Sequence, residues 1–143
     1  MPTEHRLSIS FTPSLQAPGR ARRVVDEFTA DLDPDTSDKL RLMASELVTN
    51  AVTHSDAPSD HAVVLEMAMS ADNVRLVVSD GGGGFERQGY PNVADFGGWG
   101  LWLVDQLSTA WGTEVDGDHR VWLDYALSPL DQSAGRTPQV RGY

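Results

Sequence analysis

Cysteine is absent from the chain. Disulfide bonds and thiolate metal sites are therefore excluded. No apolar run approaches the roughly 20 residues that a bilayer-spanning helix needs. The opening residues, MPTEHRLSIS, lack the charged-then-apolar order of a secretion leader. A soluble cytoplasmic protein without membrane contact is expected. Basic residues are also scarce. Lys and Arg number 11 against 21 Asp and Glu, a net charge of −10, and no basic run offsets it. Long-range attraction to nucleic acid or an anionic membrane is opposed. An anionic ligand must be held by local devices: backbone N–H groups, a metal ion or a helix N-terminus.

What is present suits one domain. The 143 residues are 40% hydrophobic, enough for one core. The ordered part is expected over residues 1–127. Residues 128–143 are rich in Pro, Gly, Ser and Gln and read as a frayed tail.

Residues 5–11 alternate apolar and polar and predict a half-buried strand, with Leu7, Ile9 and Phe11 inward. Residues 17–32 predict a helix with a stripe of Ala21, Val24, Val25, Phe28 and Leu32. Asp33-Pro34-Asp35 punctuates; Asp33 or Asp35 suits a cap, and proline suits a first turn. A second helix follows over 36–54 and a loop over 55–60. Residues 61–70 and 73–79 read as an antiparallel hairpin. The stretch 86–96 is polar and without period, a loop suited to a lid. A third helix is expected over 101–107, ended by Trp111-Gly112. A last hairpin is expected from strands 113–115 and 119–127. The expected class is α+β: a two-layer sandwich with a mixed, mostly antiparallel sheet and about three helices on one face.

Three features carry chemistry. The first is in the second helix. Leu40, Met43, Ala44, Leu47, Val48 and Ala51 form its apolar stripe. Glu46, Asn50 and His54 stand at i, i+4 and i+8, so they share one face. At about 100° per residue, Asn50 and His54 border the stripe, and Glu46 lies a little further round. A polar row bordering a core lines a cleft; a solvated row would sit opposite the stripe. The second feature is Asp80-Gly81-Gly82-Gly83-Gly84, at the end of a buried strand. Consecutive glycines there let backbone pass close to a ligand, at an entropic cost. Asp80 would offer a carboxylate to a donor such as an exocyclic amine. The third is Gly98-Trp99-Gly100, opening a helix, where free N–H groups and the helix dipole suit a phosphate.

Other motifs are excluded. The P-loop and the dinucleotide fingerprint are absent, as is the eukaryotic protein-kinase signature set. His54, Asp56, Asp60 and His61 cluster around one loop, but their spacing matches no common zinc site. Trp99, Trp102, Trp111 and Trp122 read as packing residues; Trp99 and Trp102 adjoin the glycine pair and are placed to cover a ligand or a partner surface.

Together and in this order, the three features resemble the GHKL ATPase superfamily of gyrase, a heat-shock chaperone, histidine kinases and mismatch-repair ATPases. Glu46-x-x-x-Asn50-Ala51 resembles its N box. Asp80-x-Gly82-x-Gly84 resembles its first glycine box, and Gly98-x-Gly100-Leu101 its second. Glu-Leu-Val-Thr-Asn-Ala-x-x-His, the small size and Ala21-Arg22 resemble the bacterial anti-sigma factor/serine kinase branch.

The resemblance implies a histidine-kinase-type ATPase fold that binds ATP and Mg²⁺. Asn50 would hold the metal. Glu46 would orient or deprotonate an attacking hydroxyl. His54 would sit near the phosphates or steady the lid. Asp80 would accept from the adenine amine, with Gly82 and Gly84 giving the base room. Gly98, Gly100 and Leu101 would form the phosphate turn. The implied function is an anti-sigma factor and serine-protein kinase acting on an anti-anti-sigma protein. The alternative is a catalytically silent nucleotide-binding module. Implied partners are a sigma factor and an anti-anti-sigma protein, with homodimers common in that branch. The branch places Gly-x-Thr before a Val-Trp pair. Here Asp118-His119-Arg120 precedes Val121-Trp122, and Arg120 is expected in the threonine's place beside Asp80.

Overall fold

A computed structural model describes residues 4–54, 61–80, 100–116 and 118–128. In chain order the elements are β1 (His5–Phe11), α1 (Ala17–Phe28), α2 (Pro34–His54), β2 (Val63–Met69), β3 (Asn73–Ser79), α3 (Gly100–Leu107), β4 (Ala110–Asp116) and β5 (Asp118–Ala126). The strands form one five-stranded sheet in the order β1-β2-β3-β5-β4. Every pairing among them is antiparallel. The expected α+β sandwich is the fold, and its described sheet is antiparallel throughout.

The period of two decides the faces. Leu65 and Met67 on β2, Val74, Leu76 and Val78 on β3, and Val121 and Leu123 on β5 are all buried. They meet the buried stripe of α2: Leu40, Met43, Ala44, Leu47, Val48 and Ala51. α2 packs on α1, α3, β2 and β3, so it is the central helix of its layer. α1 adds Ala17, Ala21 and Val25, and α3 adds Leu101 and Val104. The other sheet face carries Arg75, Trp122 and Asp124. Arg75 binds Asp124 through two hydrogen bonds of 2.8 Å and lies 4.8 Å from the Trp122 ring centre.

Of the boundaries that differ from expectation, two have a visible cause. α1 ends at Phe28 and does not reach Leu32. The buried Thr29 hydroxyl donates to the Val25 carbonyl at 2.7 Å, and the Leu32 amide turns back onto the Thr29 carbonyl at 2.9 Å. Leu32 is still buried, but from a turn. β4 starts at Ala110, so Trp111-Gly112 is strand. Gly112 lies opposite Trp122. A Cβ on Gly112 would sit 3.0 Å from the Trp122 ring. Glycine here leaves room for an indole on the sheet and does not break the strand.

Candidate nucleotide site

α2 positions the polar row. At its start the Asp33 carboxylate accepts from the Asp35 amide at 3.2 Å, and Pro34 is the first helical residue. That cap and the apolar stripe fix the rotation of the helix. Asn50 is thereby turned inward, with 5% of its surface exposed. Its amide nitrogen is buried and has no hydrogen-bond partner among the described residues. A buried amide left half-satisfied costs on the order of 1–3 kcal/mol, so this position is unfavourable for folding alone. Glu46, one turn earlier, is partly buried. Beside it, buried Ser45 accepts a 2.8 Å hydrogen bond from Arg22 of α1. His54 closes the helix by its backbone.

β3 positions Asp80. The residue follows Ser79 at the strand end and is 3% exposed. Asp80 shares parity with Val78 and Leu76, so its side chain enters the helix-covered layer. Its amide donates to the His119 carbonyl of β5 at 3.1 Å. The side chains follow the same pairing: His119 Nδ1 lies 3.9 Å from Asp80 Oδ2, and both side chains are 2% exposed. Burial pushes the His119 imidazole down to a pKa of about 4, so it is neutral near pH 7.

This register corrects one expectation. The neighbour of Asp80 is His119. Arg120 pairs with Ser79 and Glu114 and projects to the other face of the sheet. Strand alternation is the physical reason: His119, Val121 and Leu123 share one face, Arg120 and Trp122 the other. Sequence reading missed His119 as a site residue, although counting back by twos from Val121 finds it.

Gly100 begins the eight-residue α3, and Leu101 is 1% exposed, a core residue that anchors the helix start. Trp102 is 42% exposed. Trp111 joins α3 to β4 by donating to Asp105 at 2.9 Å. Gly82, Gly84, Gly98, Trp99, the expected lid, the loop at 55–60 and the tail after Ser128 lie outside the described residues. Among the described residues no group of three or more His, Cys, Asp or Glu side chains is arranged to hold a metal.

The sequence profile of the histidine kinase-like ATPase domain matches residues 11–123. The chain belongs to that family. Membership implies a nucleotide-binding domain, and the matched span contains α2, β3, α3 and most of β5. Among solved structures, the crystal structure of the RsbU and RsbW domains of Rv1364c from Mycobacterium tuberculosis matches with a TM-score of 0.68. The match covers 89% of this chain at 22% identity, and the chain spans about a third (34%) of that structure's chain. At this identity the likeness shows the fold. No curated protein matches. No helix among the described residues is long and apolar enough to cross a membrane.

Proposed function

We propose that the chain binds Mg-ATP between α2, the end of β3 and the start of α3, and transfers the γ-phosphoryl group to a serine of a protein partner. Asn50 carries this reading. It is buried on the polar row of α2, and its amide nitrogen has no partner among the described residues. A carboxamide there offers an oxygen to a hard cation and an N–H to a phosphate. Magnesium prefers oxygen ligands and keeps several waters, so one amide oxygen suits it. When bound, the ion supplies neutralisation of phosphate charge.

The other roles follow the row and the strand ends. The Asp80 carboxylate accepts from the adenine amine, and Gly82 and Gly84 give the base room. Gly98 and Gly100 donate backbone N–H groups to phosphate, with Leu101 fixing the turn in the core. His54 is assigned a role near the phosphates or in steadying the lid, as the family resemblance implies. Glu46 takes the proton of the serine hydroxyl as its oxygen bonds to the γ-phosphorus and the bond to ADP breaks. The proposed partners are an anti-anti-sigma protein as phosphoacceptor, a sigma factor held by the unphosphorylated regulator, and a second copy of the chain. A module that binds nucleotide without turnover is the second reading. Asp118-His119-Arg120, standing where the family resemblance expects Gly-x-Thr, favours it.

Incubation with γ-labelled Mg-ATP and candidate anti-anti-sigma proteins separates the two. Labelled partner serine is expected. Glu46→Ala should reduce transfer by about 100-fold or more while nucleotide still binds. Transfer undiminished in Glu46→Ala would remove Glu46 from the chemistry, and binding without any transfer would establish the second reading.

A further inference from the structure

A groove lies at the pole opposite the candidate nucleotide site. Asp80 follows the end of β3; the groove adjoins its start, where the β2–β3 turn, the first residue of β1 and the end of α1 meet. Its volume is about 460 Å³, ample for a peptide segment's side chains. Phe28, Leu32 and Met69 form its floor, and the exposed His5, Glu27 and Asp31 its rim. Glu27 and Asp31 join no ion pair among the described residues. Two unneutralised carboxylates beside an apolar floor suit a segment that carries arginine and aliphatic side chains together.

The chain itself delivers such a segment. β5 ends at Ala126, opposite Asn73. The Leu127 amide then donates to the Asp72 carbonyl at 2.8 Å, and Leu127 is buried. The chain therefore leaves the sheet at the β2–β3 turn, next to Ser70 and Ala71 of the groove wall. His5 pairs with Met69 and Met69 with Val74, so the groove lies two to three strands, about 10–15 Å, from β5. Residues 129–143 read PLDQSAGRTPQVRGY and hold Arg136 and Arg141 against Asp131 alone, in a chain of net charge −10. From Leu127 the chain reaches up to about 30 Å by Arg136. The open sheet face is also within reach. Its hollow is lined by Arg6 and Arg75 against Glu66, and like charge disfavours two more arginines there.

We propose that residues 129–143 dock into this groove of their own chain, with Arg136 and Arg141 on Glu27 and Asp31, and Val140 on Phe28, Leu32 and Met69. Exposed ion pairs are individually weak. The tether makes them sufficient, because a short linker holds the segment at a local concentration on the order of millimolar. Nucleotide is not required for this docking.

The absence of cysteine lets a single Ala134→Cys carry a nitroxide spin label. Amide NMR of the labelled full chain is expected to show the largest loss of intensity at Phe28, Leu32, Met69 and Ser70. Asn50 and Ser79, at the other end of α2 and β3, should lose least. Glu27→Lys with Asp31→Lys should restore most of the lost intensity in a chain whose other signals stay dispersed. Arg136→Glu with Arg141→Glu should do the same without touching the groove, and 1 M salt should act in the same direction. No loss at the groove, loss centred on Arg75 and Trp122, or loss unchanged by both charge reversals overturns the proposal. Loss that also appears in an isotope-enriched, unlabelled chain mixed with the spin-labelled one overturns it too, and makes a second copy the occupant.

Discussion

His119 is the residue whose chemistry is most constrained by its position. Burial holds its pKa at about 4 against an ordinary value of 6.5. The folded-state value is the lower one, so between pH 6.5 and 4 the unfolded chain binds the proton and the folded chain does not. The stabilisation is complete above about pH 6.5 and is lost as pH falls toward 4. The shift corresponds to about 3 kcal/mol. Denaturant unfolding at pH 7.5 and pH 4.5 should show a smaller loss in His119→Gln than in the wild type. An identical loss in both would show that His119 is not the group responsible. Asp124 acts at the other face and in a lower range. The Arg75 guanidinium beside it holds its carboxyl below the usual value, so its contribution is lost only in stronger acid.

At the scale of elements, α2 was the most legible part of the sequence. Its stripe from Leu40 to Ala51 has an unbroken helical period, and every member of it is buried. The placement of Asn50 at the stripe's edge followed from rotation alone. Asp80 was legible because it ends a strand whose alternation is clear. β4 was not: Trp111-Gly112 reads locally as a break, and only the cross-strand indole of Trp122 explains the glycine. His119 was hidden for a similar reason, since its role depends on register with β3, which no local pattern specifies. The Gly112–Trp122 contact can be tested. Gly112→Ala places a methyl group 3.0 Å from a ring that already lies against Arg75. A loss of about 1–2 kcal/mol in unfolding free energy is expected from overpacking; unchanged or raised stability would mean that the indole moves freely. Asp33→Ala at the other end of the core helix should cost about 1 kcal/mol through loss of its cap. Chemical denaturation detects a change of that size.

On the scale of the whole molecule, the fold buries Asn50 of α2, Asp80 after β3 and His119 of β5. The antiparallel sheet brings β5 beside β3, so residues nearly forty apart in sequence, Asp80 and His119, become neighbours. α2 packs on both β3 and α3. A ligand bound there holds together elements from most of the chain and stabilises the native state as a unit. At a hundredfold excess over Kd the gain is about 2.7 kcal/mol, visible as a raised Tm. The central claim is that this shared layer is a Mg-ATP site with Asn50 in its wall. Calorimetric titration of Mg-ATP into the wild-type chain and Asn50→Ala tests it most directly. The account predicts saturable one-site binding by the wild type and affinity at least about tenfold lower in a folded Asn50→Ala. Equal affinity of the two proteins for Mg-ATP would contradict it.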